Sequence, residues 1–115
     1  MTNTLPAFSD SLAALAASAA PCLAAIRVGP TQHISGIAWG GGLVVTTDQA
    51  LPSRDGYTLI LHDGAFAAAT ALHRAPQENL ALLRMDRTMS GPAMALADPP
   101  ATGSLAVVVA ADFDG

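Results

Sequence analysis

The chain has 115 residues, which is enough for one domain with a single hydrophobic core. Hydrophobic residues make up 51% of it and charged residues only 12%, which excludes intrinsic disorder as the default expectation. The chain has five arginines, no lysine and nine acidic residues, which give a net charge of −4. Without a basic stripe, nucleic acid and anionic membranes are not expected partners.

The N-terminal segment, residues 1–21, predicts a short helix docked on the rest of the domain. The run Leu12–Ile26 is apolar, but it has 15 residues where a membrane helix needs about 20. No basic residue precedes this run, as a secretory signal would require. We therefore favour a docked helix over a signal peptide, and a cytoplasmic over a periplasmic location. Ser9 or Asp10 is expected to cap the helix, and Pro21 to end it.

The remainder of the chain predicts short strands separated by turns, as in a small β-barrel or sandwich. Asp63-Gly64 is the strongest turn signal, because both residues tolerate the positive φ of a two-residue hairpin. Gly40–Gly42 predicts another hairpin turn, since it lacks the lysine and the helix of a phosphate-binding loop. The strand candidates are Cys22–Val28, Ile34–Trp39, Leu43–Thr47, Tyr57–His62, Phe66–His73, Asn79–Met85 and Leu105–Ala110.

Two of these strand predictions run against intrinsic propensity. Phe66–Leu72 is mostly alanine and Glu78–Met85 holds good helix formers, so propensity alone favours a helix for both. The Asp63-Gly64 turn favours a strand for the first, running back alongside the strand before the turn. For the second, the strand prediction depends on a resemblance to a known family.

The order of the segments resembles the trypsin-like serine proteases, and the HtrA type most closely. Ser35–Trp39, a glycine turn and Leu43–Thr47 are similar to the second and third strands of that family. There the third strand leads into the catalytic histidine, and Gln49 stands at that position. A later Asp-Leu-Ala-Leu-Leu motif carries the catalytic aspartate, and the matching stretch here begins with Asn79.

The resemblance extends over residues 9–115 and implies an all-β fold, a six-stranded trypsin-like N-terminal β-barrel with a short N-terminal helix. It divides the chain into the N-terminal segment 1–21, the barrel over 22–97, and 98–115 as a link and first strand toward a missing second barrel. In the family that second barrel carries the serine nucleophile, the oxyanion hole and the substrate pocket. No Gly-x-Ser-Gly signature of the nucleophile occurs in this sequence.

The residues Gln49 and Asn79 at these two positions predict a module without catalytic activity. Glutamine does not titrate in water, so Gln49 is excluded as the general base of a triad. Asn79 corresponds to an Asp-to-Asn change that lowers turnover by about 10⁴ in an archetypal protease of this family. We predict no catalytic residue, no cofactor and no metal, and a pseudoprotease or protein-interaction domain.

Two other functions remain open from the sequence. The chain is alternatively an N-terminal fragment of a longer trypsin-like peptidase, which a reading frame continuing past Gly115 with Gly-x-Ser-Gly would favour. It is alternatively a small-ligand-binding β-barrel, which an apolar cavity near Trp39 with converging polar groups would favour.

The remaining candidate residues have structural interpretations. Asp48 is interpreted as an exposed loop aspartate beside the histidine-equivalent position. His33, His62 and His73 are interpreted as surface residues, because their spacings of 29 and 11 match no compact metal-ligand motif. Cys22, on an apolar strand with no identified base, is interpreted as a small core residue.

The resemblance also implies an interaction surface. A first barrel alone would leave the face that normally meets the second barrel uncovered, including residues near Gln49 and Asn79 and the stretch Leu105–Ala110. Exposed apolar surface and unpaired strands favour association. We expect a protein partner or a homodimer through this face.

Overall fold

The fold is a closed six-stranded antiparallel barrel preceded by one helix, in a computed structural model that describes residues 4–87, 99–104 and 108–111. The strands follow one another around the barrel in the order β1-β2-β3-β6-β5-β4. The predicted all-β fold with a short N-terminal helix is confirmed. The elements are α1 (Thr4–Ala19), a 3₁₀ turn (Ala20–Cys22), β1 (Leu23–Arg27), β2 (His33–Gly40), β3 (Leu43–Thr46), β4 (Tyr57–Leu61), β5 (Phe66–Ala75) and β6 (Leu80–Met85).

The barrel interior is filled by alternate side chains of its strands. Because successive residues of a strand point to opposite faces, every second residue enters the core. The largest fully buried side chains come from four different strands, and they are Ile26, Val44, Leu59 and Leu83. The strand β2 contributes small residues instead. A Cβ atom on Gly36 would lie 2.5 Å from Cγ1 of Val44, so this position has no room for a side chain.

The alanine-rich strand β5 is the strand predicted after the Asp63-Gly64 turn, but the predicted two-residue hairpin is wrong. Four residues, 62–65, connect β4 to β5, and Gly64 has a positive φ whereas Asp63 does not. The strand β5 runs back along β4 with Ile60 opposite Phe66 and Tyr57 opposite Ala69. Small alanine side chains of β5 are buried inside the barrel, where larger ones would compete for space. Tertiary pairing therefore overrides the helical propensity of this segment. The Gly40–Gly42 hairpin turn is also present, with positive φ at all three residues.

The helix α1 differs from the predicted docked helix. It begins at Thr4, so Ser9 and Asp10 lie within it and do not cap it. Pro6 lies in the first turn, where the missing N–H of a proline breaks no helical hydrogen bond, and the helix thus begins before the predicted caps. Its side chains are mostly exposed, with Phe8 at 50% and Leu15 at 54%. No helix among the described residues is long and apolar enough to cross a bilayer.

The C-terminal segment lies only partly within the described residues. Of the predicted strand Leu105–Ala110, residues 105–107 lie outside the described residues, and residues 108–110 form no strand. The backbone N–H of Ala111 donates a hydrogen bond to Ser35 Oγ at 2.8 Å. Residues 109–111 share a cavity of about 250 Å³ with Ala25 and Ile60, on the outside of β1 and β4. Because the barrel is closed, its strands offer no free edge along which this segment could pair.

Replacing Gly36 with alanine should destabilise the barrel by about 1–3 kcal/mol, since the new methyl would press on Val44 and Ile26. Gly56→Ala is the matched control, because the nearest atom to its new Cβ, the Ala69 carbonyl oxygen, is 3.7 Å away. Urea unfolding of the two variants measures the difference. Equal unfolding midpoints would contradict the close packing of β2 against the core.

Candidate functional site

The positions singled out from the sequence meet at one end of the barrel. Strands β3 and β6 are antiparallel neighbours, with Thr46 opposite Ala81. The chain leaving β3 therefore passes the turn that leads into β6. Gln49 lies in the loop after β3 and Asn79 immediately precedes β6. Residues 30 positions apart are brought together in this way.

A hydrogen bond joins the two positions directly. The backbone N–H of Gln49 donates to Asn79 Oδ1 at 2.7 Å. Asn79 has φ of 54°, a left-handed conformation that asparagine tolerates better than most residues. Its own N–H donates to the Pro76 carbonyl at 3.2 Å, which closes the turn before β6. The tight turn thus aims the Asn79 side chain at the loop after β3.

The loop after β3 is held by Arg74 of β5. The Arg74 guanidinium forms an ion pair with Asp48, with Nε 2.5 Å from Oδ1. The same guanidinium donates to the backbone carbonyls of Asp48 at 2.8 Å and Leu51 at 2.7 Å. Asp48 is therefore not the exposed loop aspartate expected from the sequence, since its side chain is only 14% exposed. Arg74 stands opposite Ala81 in the β5–β6 pairing, which puts it beside the loop.

The second half of the loop is held by Tyr57. Its hydroxyl donates to the Pro52 carbonyl at 2.5 Å and accepts a hydrogen bond from the backbone N–H of Arg54 at 3.3 Å. Leu51 is buried in the core between these two anchors. Arg74 and Tyr57 are the positioning residues that sequence analysis missed. An arginine in a strand gives no sequence signal of a partner 26 residues away.

The arrangement has little capacity for proton transfer. Gln49 and Asn79 carry amides, which neither take up nor release protons in the accessible range of pH. The Asp48 carboxylate is occupied by Arg74. His62 and His73 are exposed on the barrel surface, as interpreted from the sequence, whereas His33 is half-buried on β2.

The remaining candidates also have defined places. Cys22 is buried, but it ends the 3₁₀ turn and does not lie on a strand. Within the described residues, no three His, Cys, Asp or Glu side chains come together as a metal ion would require.

Comparison with solved structures finds proteases of the same fold, among them the following two. The crystal structure of Rv3671c protease, inactive form, matches with a TM-score of 0.65 and 19% identity, over 76% of this chain and 43% of that chain. The serine endoprotease from Yersinia pestis matches with a TM-score of 0.59 and 16% identity, over 65% of this chain and 29% of that chain. The present chain thus spans less than half the length of either.

Comparison of sequences gives no such match. No protein-family model matches the chain, and no curated protein matches it either. At 16–19% identity, the structural likeness shows the fold alone. The barrel is trypsin-like in fold.

Substitutions at Asn79 should separate its two structural contributions. Asn79→Ala loses the hydrogen bond to the Gln49 N–H and leaves a Cβ-bearing residue at positive φ, which together cost about 1.5–3 kcal/mol. Asn79→Gly also loses the hydrogen bond, but glycine adopts a positive φ without strain. It should therefore destabilise the barrel less than Asn79→Ala does. Asn79→Asp keeps an acceptor and should change stability by less than about 1 kcal/mol.

Urea unfolding of the three variants provides the measurement. The expected order of midpoints places Asp above Gly and Gly above Ala. An Ala variant as stable as the Gly variant would show that positive φ carries no cost here. An Asp variant no better than the Gly variant would show that the acceptor does not matter.

Proposed function

We propose that this chain is a non-catalytic trypsin-like barrel, resembling the HtrA type, that serves in protein interaction. One observation supports it above all others. Gln49 and Asn79, which the sequence resemblance assigns to the histidine and aspartate positions, are joined by a hydrogen bond, and both carry amides in place of titratable side chains. The scaffold of a triad is retained while its proton chemistry is absent.

The physical requirements of a triad explain why both replacements matter. The histidine must take a proton from the nucleophile and return it to the leaving group. The aspartate must hold the imidazole in one tautomer and stabilise the imidazolium that forms. Asn79 has no charge to stabilise an imidazolium, and its oxygen already accepts the backbone N–H of Gln49. A histidine introduced at position 49 alone would therefore lack its orienting acid.

The proposal concerns the residues that a first barrel contributes to a triad. It therefore applies equally to a longer chain. The alternative of a fragment from a longer trypsin-like protein is supported by the coverage of the two solved proteases, of which this chain spans 43% and 29%. A reading frame that continues past Gly115 and encodes Gly-x-Ser-Gly would favour that alternative.

A small-ligand-binding barrel has less support. Trp39 points outward and is 43% exposed, so it does not line an internal cavity. The interior is occupied by large side chains such as Leu59 and Leu83. An interior packed in this way leaves a ligand no volume of the size that small-molecule sites need.

The interaction role is supported by apolar side chains on the outside of three neighbouring strands. Ile37, Val45 and Leu82 stand side by side across β2, β3 and β6. Trp39 lies two residues after Ile37 on β2 and Leu80 two residues before Leu82 on β6, toward opposite ends of the barrel, and they are 43% and 49% exposed. We call these five residues the outer face. Exposed tryptophan is enriched at binding hot spots, and Leu80 directly follows Asn79, so the outer face adjoins the degenerate site.

The chain should not hydrolyse peptides or esters, and the variant Gln49→His with Asn79→Asp should not do so either. The double change restores a base and an orienting acid, but these 115 residues include no Gly-x-Ser-Gly nucleophile. A fluorogenic peptide panel and labelling by a fluorophosphonate probe measure both proteins. An active trypsin-like protease is the positive control for both assays.

Turnover by the unaltered chain that survives repurification and inhibitors of trace proteases would contradict the proposal. Probe labelling of the double variant alone would reveal a nucleophile in this chain. That result would leave the degenerate positions as the only barrier to catalysis.

A further inference from the structure

Two Asp-Gly pairs lie in exposed loops of the barrel, one at each end of β4. Asp55-Gly56 immediately precedes β4 and Asp63-Gly64 follows it. An aspartate followed by glycine is prone to spontaneous isomerisation, because glycine has no side chain that hinders attack by its own backbone nitrogen. The two pairs are identical in sequence and both are exposed to water, so neither property separates them. Their hydrogen bonds do.

The Asp63-Gly64 pair is held by two hydrogen bonds. Asp63 Oδ1 accepts the backbone N–H of Ala65 at 3.0 Å, and the Gly64 N–H donates to the Leu61 carbonyl at 2.9 Å. Isomerisation requires the glycine nitrogen to leave its acceptor and the aspartate carboxyl group to turn toward that nitrogen. Each hydrogen bond that must break first lowers the rate by about two- to tenfold. The turn therefore protects this pair.

The Asp55-Gly56 pair has neither restraint. Among the described residues, the Asp55 carboxylate and the Gly56 N–H form no hydrogen bond. The nearest atom to a Cβ placed on Gly56 is the Ala69 carbonyl oxygen, 3.7 Å away, so the backbone here is not crowded. The carboxyl carbon and the nitrogen that would attack it are both unrestrained by hydrogen bonds to the rest of the described barrel.

We propose that Asp55 is a site of spontaneous isomerisation to isoaspartate in the folded protein. The Gly56 nitrogen attacks the protonated Asp55 carboxyl group and forms a C–N bond, while the N–H proton and the carboxyl hydroxyl leave as water. The product is a five-membered succinimide. Water then adds to the α-carbonyl and breaks its bond to nitrogen, which leaves the backbone running through the side-chain carbon. One water is lost and one is gained, so no other reactant is needed.

The consequence falls on the anchor at Tyr57. The Arg54 N–H donates to the Tyr57 hydroxyl at 3.3 Å, and the Arg54 guanidinium donates to the Val28 carbonyl at 2.6 Å, so the reactive pair lies between two fixed residues. Isoaspartate adds one backbone atom, and thus a bond of about 1.5 Å, to this short span. Because Tyr57 also binds the Pro52 carbonyl, the modification should loosen the second half of the loop after β3. This holds whether or not the barrel is catalytic.

Incubation of the full 115-residue chain in mildly acidic buffer, which supplies the protonated carboxyl group, tests the proposal. An endoproteinase that cleaves before aspartate does not cleave before isoaspartate, so mass spectrometry of the digest gives the isomerised fraction at positions 55 and 63 separately. In the folded chain, position 55 should isomerise about five- to 100-fold faster than position 63, which two hydrogen bonds protect. In guanidinium chloride the two rates should differ by less than about threefold, because unfolding removes both bonds.

Gly56→Ala is the variant that isolates the reaction, since its added methyl hinders the attacking nitrogen without a clash in the barrel. Isomerisation at position 55 should be largely lost and that at position 63 unchanged. Incubation should lower the urea midpoint of the unaltered chain and leave that of Gly56→Ala unchanged. Near-UV circular dichroism of Trp39, the single tryptophan, verifies that both proteins are folded at the start. Equal rates at the two positions of the folded chain would overturn the proposal, as would an unmodified position 55 or its undiminished modification in Gly56→Ala.

Discussion

The pairing of β3 with β6 is the constraint on which the candidate site depends. It joins strands that are far apart in the sequence, with Val44 opposite Leu83 and Thr46 opposite Ala81. Val44 and Leu83 are fully buried, so the pairing is fixed by core packing and is insensitive to the residues beyond the strand ends. Whatever side chains occupy positions 49 and 79, the register keeps them adjacent. The adjacency of positions 49 and 79 is therefore independent of which side chains occupy them.

An amide can retain the structural part of a carboxylate's role while losing the catalytic part. The Asn79 oxygen accepts the Gln49 N–H as a carboxylate oxygen would, because the donor requires only a lone pair. Stabilisation of an imidazolium requires a full negative charge, which an amide lacks. Arg74 and Tyr57 add further hydrogen bonds that hold the loop without reference to a substrate. The order of this site thus has a structural cause, and order alone is not an argument for catalysis.

Local signals predicted most of the short strands, whereas the six-stranded barrel and the strand β6 were predicted from the family resemblance. The long-range polar contacts were predicted by neither. The Asp63-Gly64 turn was sufficient to place an alanine-rich segment in a strand, but it did not give the register, because the connection has four residues where a two-residue hairpin was predicted. The adjacency of Gln49 and Asn79 was implied only through the family resemblance. The Asp48–Arg74 pair was missed because its members are 26 residues apart and charge alone does not select a partner. The exposure of α1 was missed because apolar spacing predicts a buried face without naming what covers it.

The small number of charged residues affects both the candidate site and the surface of the molecule. The chain has five basic and nine acidic residues, and Arg74 and Asp48 are already committed to fixing one loop. Few charged side chains remain to separate the apolar residues that face water. Among the described residues, the exposed large apolar side chains lie on α1, β2 and β5, at the start of β6 and in the C-terminal segment. A barrel that exposes apolar side chains and carries amides at positions 49 and 79 is compatible with the proposed binding module, because association needs shape and burial where catalysis needs proton transfer.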